Sequence, residues 1–238
     1  MEKFSLYDLL SVLFPGVIFL YILDGVRTAF GIAPDFALTD RWEVIIVLSV
    51  LFGAAVYVVS FRLVSQCKWV YRFCGIYTHV TVLYNELGLQ GIIGKTLNKR
   101  ANEWYEQDLY FSKDDFSRLS VEEQKEKTNL QDEFYDRMYY ELDYEEKLET
   151  AKSFQSFYLF FRNVFVASVL GILFLWFFQL VYSIPLFGLE PAGCKPLFSL
   201  SGIFVLVALV SVYIARWYRK RMVMKMYWYF YSHINTKK

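Results

Sequence analysis

Nucleophilic and metal chemistry have few residues to work with in this chain. It contains two histidines, His79 and His233, and three cysteines, Cys67, Cys74 and Cys194. Cys67, Cys74 and His79 follow one another at offsets of seven and five residues. That spacing does not bring three ligands together on one helical turn, so no metal is expected. The phrase Gly94-Lys95-Thr96 looks like the end of a phosphate-binding loop, but that loop needs four residues between its glycines. Here five separate Gly88 from Gly94, with Leu89 next to the first. No buried strand leads into it, and no hydrophobic run ending in an acid supplies a magnesium ligand. The segment reads as a glycine-rich helix connector. Carboxylates are dense between Glu103 and Glu149, yet an acidic helix face is usually only solvated. With no nucleophile–base set and no cofactor motif, an enzyme is not expected, and neither is a cofactor.

The residues that do gather are basic and aromatic, a pairing suited to anions. Arg62, Lys68, Trp69, Arg72, Lys95, Lys99, Arg100 and Trp104 form one such group. Lys68 and Arg72 are four apart, as are Lys95 and Lys99, which places each pair on one helix face. The group has two readings: a surface that senses an anionic ligand, or a solvated or interfacial face. The tail 216–231 interleaves Arg216, Arg219, Lys220, Arg221 and Lys225 with Trp217, Tyr218, Tyr227, Trp228, Tyr229 and Tyr231. Headgroup anchoring at a span end explains such a composition. A grip on a phosphate backbone with stacked bases explains it too, as does docking on the chain's own acidic segment.

These residues must be positioned by a membrane framework. Uncharged apolar runs occupy residues 9–23, 44–61, 164–184 and 197–215. A spanning helix needs about 20 apolar residues, with a range of about 17–25. The last three runs meet this directly, and the first does so with residues 4–8 added. The chain is 56% hydrophobic, above the roughly 45–50% of soluble domains. No cleavage site follows the first run, so it is expected to remain as an anchor. The loops 24–43 and 183–196 carry few Lys and Arg, whereas the other side carries Lys3, Arg62, Lys68, Arg72, Lys152, Arg162 and the tail. By the positive-inside rule both termini are cytosolic. The fold class is all-α, a polytopic membrane protein with four transmembrane helices and a helical cytosolic domain between the second and third. The expected division is 1–64, first transmembrane pair; 65–156, cytosolic helical domain; 157–215, second pair; 216–238, basic aromatic tail.

Within the large loop the sequence predicts a stalk over residues 66–87 and a helix over 92–109. Ser120-Val-Glu-Glu123 matches a capping box, which opens a helix to about Tyr140. From Tyr144 no breaker precedes the third span, so one helix is expected to run to Tyr182. Inside the membrane, Asp8, Pro15 and Gly16 are the candidate gating or pore residues. Pro15 cannot donate to the Ser11 carbonyl, so the first span should kink near its middle, with Gly16 adding freedom. Asp8 could pair with Lys3, Arg62 or Arg162, or ring a pore mouth. Ser49-x-x-x-Gly53 and Ala167-x-x-x-Gly171 permit close helix approach, within the chain or between subunits. Four spans with almost no midplane charge fit an oligomeric pore better than a transporter.

The phrase Phe4-Ser-Leu-Tyr-Asp-Leu-Leu10, followed by Leu13-Phe-Pro-Gly16, is similar to the opening of small membrane proteins of antiphage defence operons. With the two-plus-two layout, the chain resembles the Hailong-type membrane effector. That resemblance implies a homo-oligomeric inner-membrane channel working with a nucleotidyltransferase. It implies that single-stranded oligodeoxyadenylate keeps the channel closed and that loss of this ligand opens it. It assigns no ligand-binding residue. The sequence reading is therefore an ion channel or pore-forming effector in a bed of membrane lipids, gated by an anionic cytosolic ligand such as an oligodeoxynucleotide. The alternative is a non-conducting membrane scaffold that docks a soluble partner through its acidic helices.

Overall fold

The computed structural model describes residue 7 and residues 9–31, 42–67, 79–183 and 194–236. Asp8, Lys3, Lys68, Trp69, Arg72, Cys74 and half of the expected stalk (68–78) lie outside the described residues. Among the described residues every regular element is helical. Four helices are long and apolar enough to cross a membrane: Leu9–Ala29, Trp42–Leu63, Glu149–Tyr182 and Lys195–Thr236. The chain divides into two compact units, Met1–Ile76 with Gln155–Tyr218, and Tyr77–Phe154 with Arg219–Lys238.

The first unit contains α1 (Phe14–Ala29), entered through a π-helical turn at Leu9–Leu13, and α2 (Trp42–Gln66). Its core joins Phe19, Ile22 and Val26 of α1 to Val56 of α2, and to Val166, Ala167, Leu175, Phe204 and Ala208 from the later helices. The outward faces are apolar as well. Leu51, Leu180 and Leu206 are each more than 60% exposed. In water such faces would be a liability, whereas hydrocarbon accepts them so long as the backbone is hydrogen-bonded within its helices.

Pro15 sits in the first turn of α1, where its missing N–H breaks no α-helical bond. The irregularity therefore falls in the π-helical turn ahead of it, rather than as a kink in mid-span. The Ser11 carbonyl, which Pro15 cannot serve, accepts a hydrogen bond from Asn163 Nδ2 at 2.6 Å. Gly16 does not act as a loosened joint. A Cβ there would lie 1.8 Å from the Ser49 carbonyl oxygen, and one on Gly53 would lie 2.0 Å from that of Val12. The Ser49–Gly53 face thus meets the first span within one chain. Gly171 plays a similar part, with room for a Cβ closed by Ile22 at 2.4 Å and Phe204 at 3.3 Å.

The second unit begins with α3 (His79–Val82) and a π-helical turn, Leu83–Leu87, which Gly88 ends at φ 72°. That left-handed backbone is one that glycine adopts without a Cβ penalty. α4 (Ile92–Tyr105) stops four residues short of the expected Leu109, because Glu106 turns the chain at φ 57°. After α5 (Lys113–Arg118), α6 (Val121–Tyr144) opens on the expected box. Ser120 Oγ accepts from the Glu123 amide at 3.2 Å, and Glu123 Oε2 accepts from the Ser120 amide at 2.8 Å. The expected unbroken run from Tyr144 is interrupted: residues 145–148 form a turn, with Glu146 at φ 56°. Only then does α7 (Glu149–Tyr182) start, followed by α8 (Cys194–Thr236).

The core of this unit holds Leu83, Leu97, Leu109, Phe134, Met138 and Leu142 together with Val223, Met226, Tyr227 and Phe230. Residues 216–238, the basic aromatic tail of the sequence reading, thus supply part of this core. Val223, Met226, Tyr227 and Phe230 recur at helical spacing and are at most 1% exposed. Buried backbone groups in the α4–α6 connection are met by side chains. Gln131 Nε2 donates to the Leu109 carbonyl at 2.5 Å, and Asn98 exchanges two hydrogen bonds with the Tyr110 backbone.

Gly16→Ala and Gly53→Ala should each destabilise the detergent-solubilised protein by about 1–3 kcal/mol or more, since the added methyl meets backbone. Gly202→Ala, where nothing lies within 4 Å, should instead stabilise α8 by up to about 1 kcal/mol. Thermal midpoints of the three variants make the comparison. Ser120→Ala should lower stability by about 0.5–2 kcal/mol through loss of the cap, read from the same melts.

Candidate anion-binding surface

α4 presents the part of the expected basic group that the structure gathers: Lys95, Lys99, Arg100 and Trp104. The helix forms because Ile93, Leu97 and Ala101 bury one stripe in the core, which turns Lys95 and Lys99 outward. Arg100 is less available. Its Nη1 donates to Glu103 Oε2 at 2.7 Å, and its guanidinium lies 5.0 Å from the Trp104 ring centroid. Arg137 lies over the same ring at 4.0 Å, while Phe134 and Phe230 pack against it at 5.2 and 6.1 Å. Trp104 is thus engaged by cations and core aromatics, an anchor for α4 more than a platform for a base. Arg62 is exposed but belongs to the first unit. Lys68, Trp69 and Arg72 lie outside the described residues, as does Asp8, and Pro15 and Gly16 are buried in the first unit.

Lys99 and Arg100 line a groove of about 270 Å³ together with Thr96, Glu103, Glu141, His233, Ile234 and Asn235. Its volume sits near the lower end for small-ligand sites. Two cations face two carboxylates there, so an anion would be drawn to the Lys95–Lys99 rim more than to the floor. His233 ends the groove, its side chain only 1% exposed. Its Nε2 is 3.1 Å from Glu141 Oε1, and its Nδ1 is 3.0 Å from both Glu145 Oε2 and Lys147 Nζ. This knot ties the end of α8 to the turn after α6. Sequence reasoning missed it, because its members are about ninety positions apart and no local pattern links them. Among the described residues no group of His, Cys, Asp and Glu could hold a metal ion.

The end of α8 sorts the basic–aromatic composition by face. Met222, Tyr227 and Phe230 are buried, whereas Arg221, Lys225 and Trp228 are exposed one turn apart. Lys220 pairs with Glu86 at 2.6 Å. Of the aromatics that a base could stack on, Tyr227 is in the core and Trp228 is outside. The second histidine is also packed. The His79 ring stacks on Tyr135 at 4.4 Å, and its Nδ1 is 3.7 Å from Asp132. Burial, with a smaller push from the Arg219 charge, lowers His79 to about 4 against the opposing effect of a hydrogen bond to the Gln131 backbone carbonyl. Burial also pushes Tyr135 up to about 12, and its hydroxyl donates to Met226 Sδ at 2.9 Å.

No family model, curated protein or solved structure matches this chain.

The His79 shift carries a sign that can be checked. Between pH 6.5 and about 4 the unfolded chain binds a proton that the folded unit refuses. Stability should therefore fall as the pH drops through that window, by up to about 3 kcal/mol, and be complete above it. Denaturant titrations of the wild type and His79→Gln at several pH values should show the variant lacking that part of the slope.

Proposed function

We propose that this chain is the subunit of an oligomeric membrane channel or pore-forming effector gated by an anionic cytosolic ligand. The ligand is a single-stranded oligonucleotide, and the setting is bacterial antiphage defence at the inner membrane, with both termini cytosolic. The observation that carries this reading is the continuity of α7 and α8. Each runs unbroken from an apolar span into residues of the helical unit. At 1.5 Å per residue, the 43 residues of α8 extend about 65 Å, against a hydrocarbon core of about 30 Å. A ligand bound to the residues that α7 and α8 contribute to the helical unit would touch the same helices that carry the apolar spans. Exposed Lys95 and Lys99 offer phosphate contacts, and Arg221, Lys225 and Trp228 offer a second strip of suitable chemistry. The likeness of the N-terminal phrase to Hailong-type effectors supports the choice of ligand, with a nucleotidyltransferase as its source.

The scaffold reading keeps one observation in its favour: α6 exposes Glu122, Glu126, Glu133 and Asp136, an acidic surface for a soluble partner. Liposomes carrying the purified chain separate the two. Ion flux that differs between ligand-free protein and protein with oligodeoxyadenylate is the expected result, and no flux in either state favours the scaffold.

Binding should weaken with salt, since each phosphate neutralised releases counterions. The Lys95→Glu, Lys99→Glu double variant should bind more weakly, with the log–log salt slope reduced by about 1.4 for two contacts to a single strand. Fluorescence anisotropy at several salt concentrations reads this. Unchanged affinity would remove these lysines from the ligand surface.

A further inference from the structure

Three of the apolar helices are bounded by charged or aromatic residues at one common interval. Trp42 and Arg62 lie 20 positions apart on α2, Arg162 and Tyr182 lie 20 apart on α7, and Lys195 and Arg216 lie 21 apart on α8. At about 1.5 Å per residue each interval is about 30 Å, the thickness of a hydrocarbon core. Within these limits Glu43, next to Trp42, is the only Asp, Glu, Lys or Arg. The side chains exposed there include Leu51, Leu173, Phe177 and Leu206.

The arginine ends share one level. Tyr57 of α2, Tyr158 and Phe161 of α7, and Ala215 and Tyr218 of α8 pack in one cluster. The Arg162 guanidinium lies over the Tyr57 and Tyr158 rings at 5.5 and 5.8 Å, and Phe157 and Phe161 stack on Tyr218 at 5.0 and 5.8 Å. Arg62 lies five positions beyond Tyr57, and Arg216 adjoins Ala215. Arginine among tyrosine and tryptophan at the end of apolar spans is the composition of the headgroup layer.

Two of the three arginines can be reached from outside. Arg162 is 6% exposed, so it marks the level and takes no ligand. Arg62 and Arg216 are exposed. Tyr213, Arg216 and Trp217 stand at i, i+3 and i+4 on the outward face of α8, with Tyr213 74% and Trp217 45% exposed. Neither helix supplies a carboxylate at this level: α8 contains none, and that of α2 is Glu43 at the far end. The excess positive charge favours anionic over zwitterionic head groups, and the guanidinium fork matches phosphate oxygens.

We propose that Arg62 and Arg216, with Tyr213 and Trp217 beside them, bind the phosphate head groups of anionic phospholipids at this boundary. Native mass spectrometry of the full-length protein, offered equimolar phosphatidylglycerol and phosphatidylcholine at about 0.15 M ionic strength, tests it. Phosphatidylglycerol should be retained in preference. The Arg62→Gln, Arg216→Gln double variant should lower that preference about tenfold or more, since each cation near an anionic surface contributes about fivefold. Lys225 lies nine positions beyond Arg216 on α8, about 13 Å further along the helix and past a Debye length of about 8 Å. Lys225→Gln should therefore change the preference less than about twofold. Equal retention of the two lipids, an unchanged preference in the double variant, or an equal loss in Lys225→Gln overturns the proposal. Displacement of the lipid by soluble glycerol phosphate would mark a site for free phosphates. A second copy covering Arg216 and Trp217 in a structure of the reconstituted protein would mark a subunit interface. Either result also overturns it. None of these readings involves conduction, so the outcome is separate from that of the channel.

Discussion

The approach of α1 and α2 to backbone contact is the constraint from which the first unit follows. Lipid tails are as apolar as leucine, so no hydrophobic drive pulls spanning helices together. What holds them is dispersion between surfaces that fit, and hydrogen bonds that cannot be made to lipid. Gly16 and Gly53 provide the first by bringing each helix against the other's carbonyls. The Asn163 amide provides the second by serving the Ser11 carbonyl, whose α-helical partner would be a proline. Removing hydrogen-bonding capacity at Pro15 is tolerable because a third helix lies close enough to restore it. The proline, the two glycines and the asparagine are thus parts of one solution.

The helical unit is held by different physics. Its core joins aliphatic side chains to a group of aromatics set edge to face. Phe134 alone contacts Trp104, Tyr105, Tyr110 and Phe230 with ring centroids 5.2–6.3 Å apart. Such pairs add about 0.5–1.5 kcal/mol beyond area burial. Polar groups inside it are held in place: Gln131 and Asn98 fix the segment between α4 and α5, and the His233 knot fixes the far end of α8. Burial sets the protonation of His79 and Tyr135, so the core is neutral where it is driest.

Much of this was legible in the sequence because it rests on local signals. The four spans follow from apolar run length, and the start of α6 follows from Ser120 and Glu123. The close-packing faces follow from small residues four apart. Three things were not legible. The turn at 145–148 contains neither glycine nor proline; Glu146 takes the left-handed backbone that sequence rules reserve for glycine or asparagine. The role of the C-terminal residues was hidden by composition: tyrosine and methionine among lysines look interfacial until the 3.6-residue period is followed through to Phe230. The burial of Arg162 on α7, 6% exposed with its guanidinium over the Tyr57 ring of α2, was hidden because that ring lies about a hundred positions away in the chain.

The order in which the chain is made gives the composition of the second core a further meaning. Leu83, Leu97 and Phe134 leave the ribosome long before Met226 and Phe230, with two spans synthesised between them. At roughly 5–20 residues per second, the early helices wait several seconds with an open apolar face. During that interval they depend on chaperones or on the membrane surface for cover. Closure of the core therefore waits for residues 222–230 of α8. A chain in which those residues of α8 failed to dock would keep the apolar face of Leu83, Leu97 and Phe134 open.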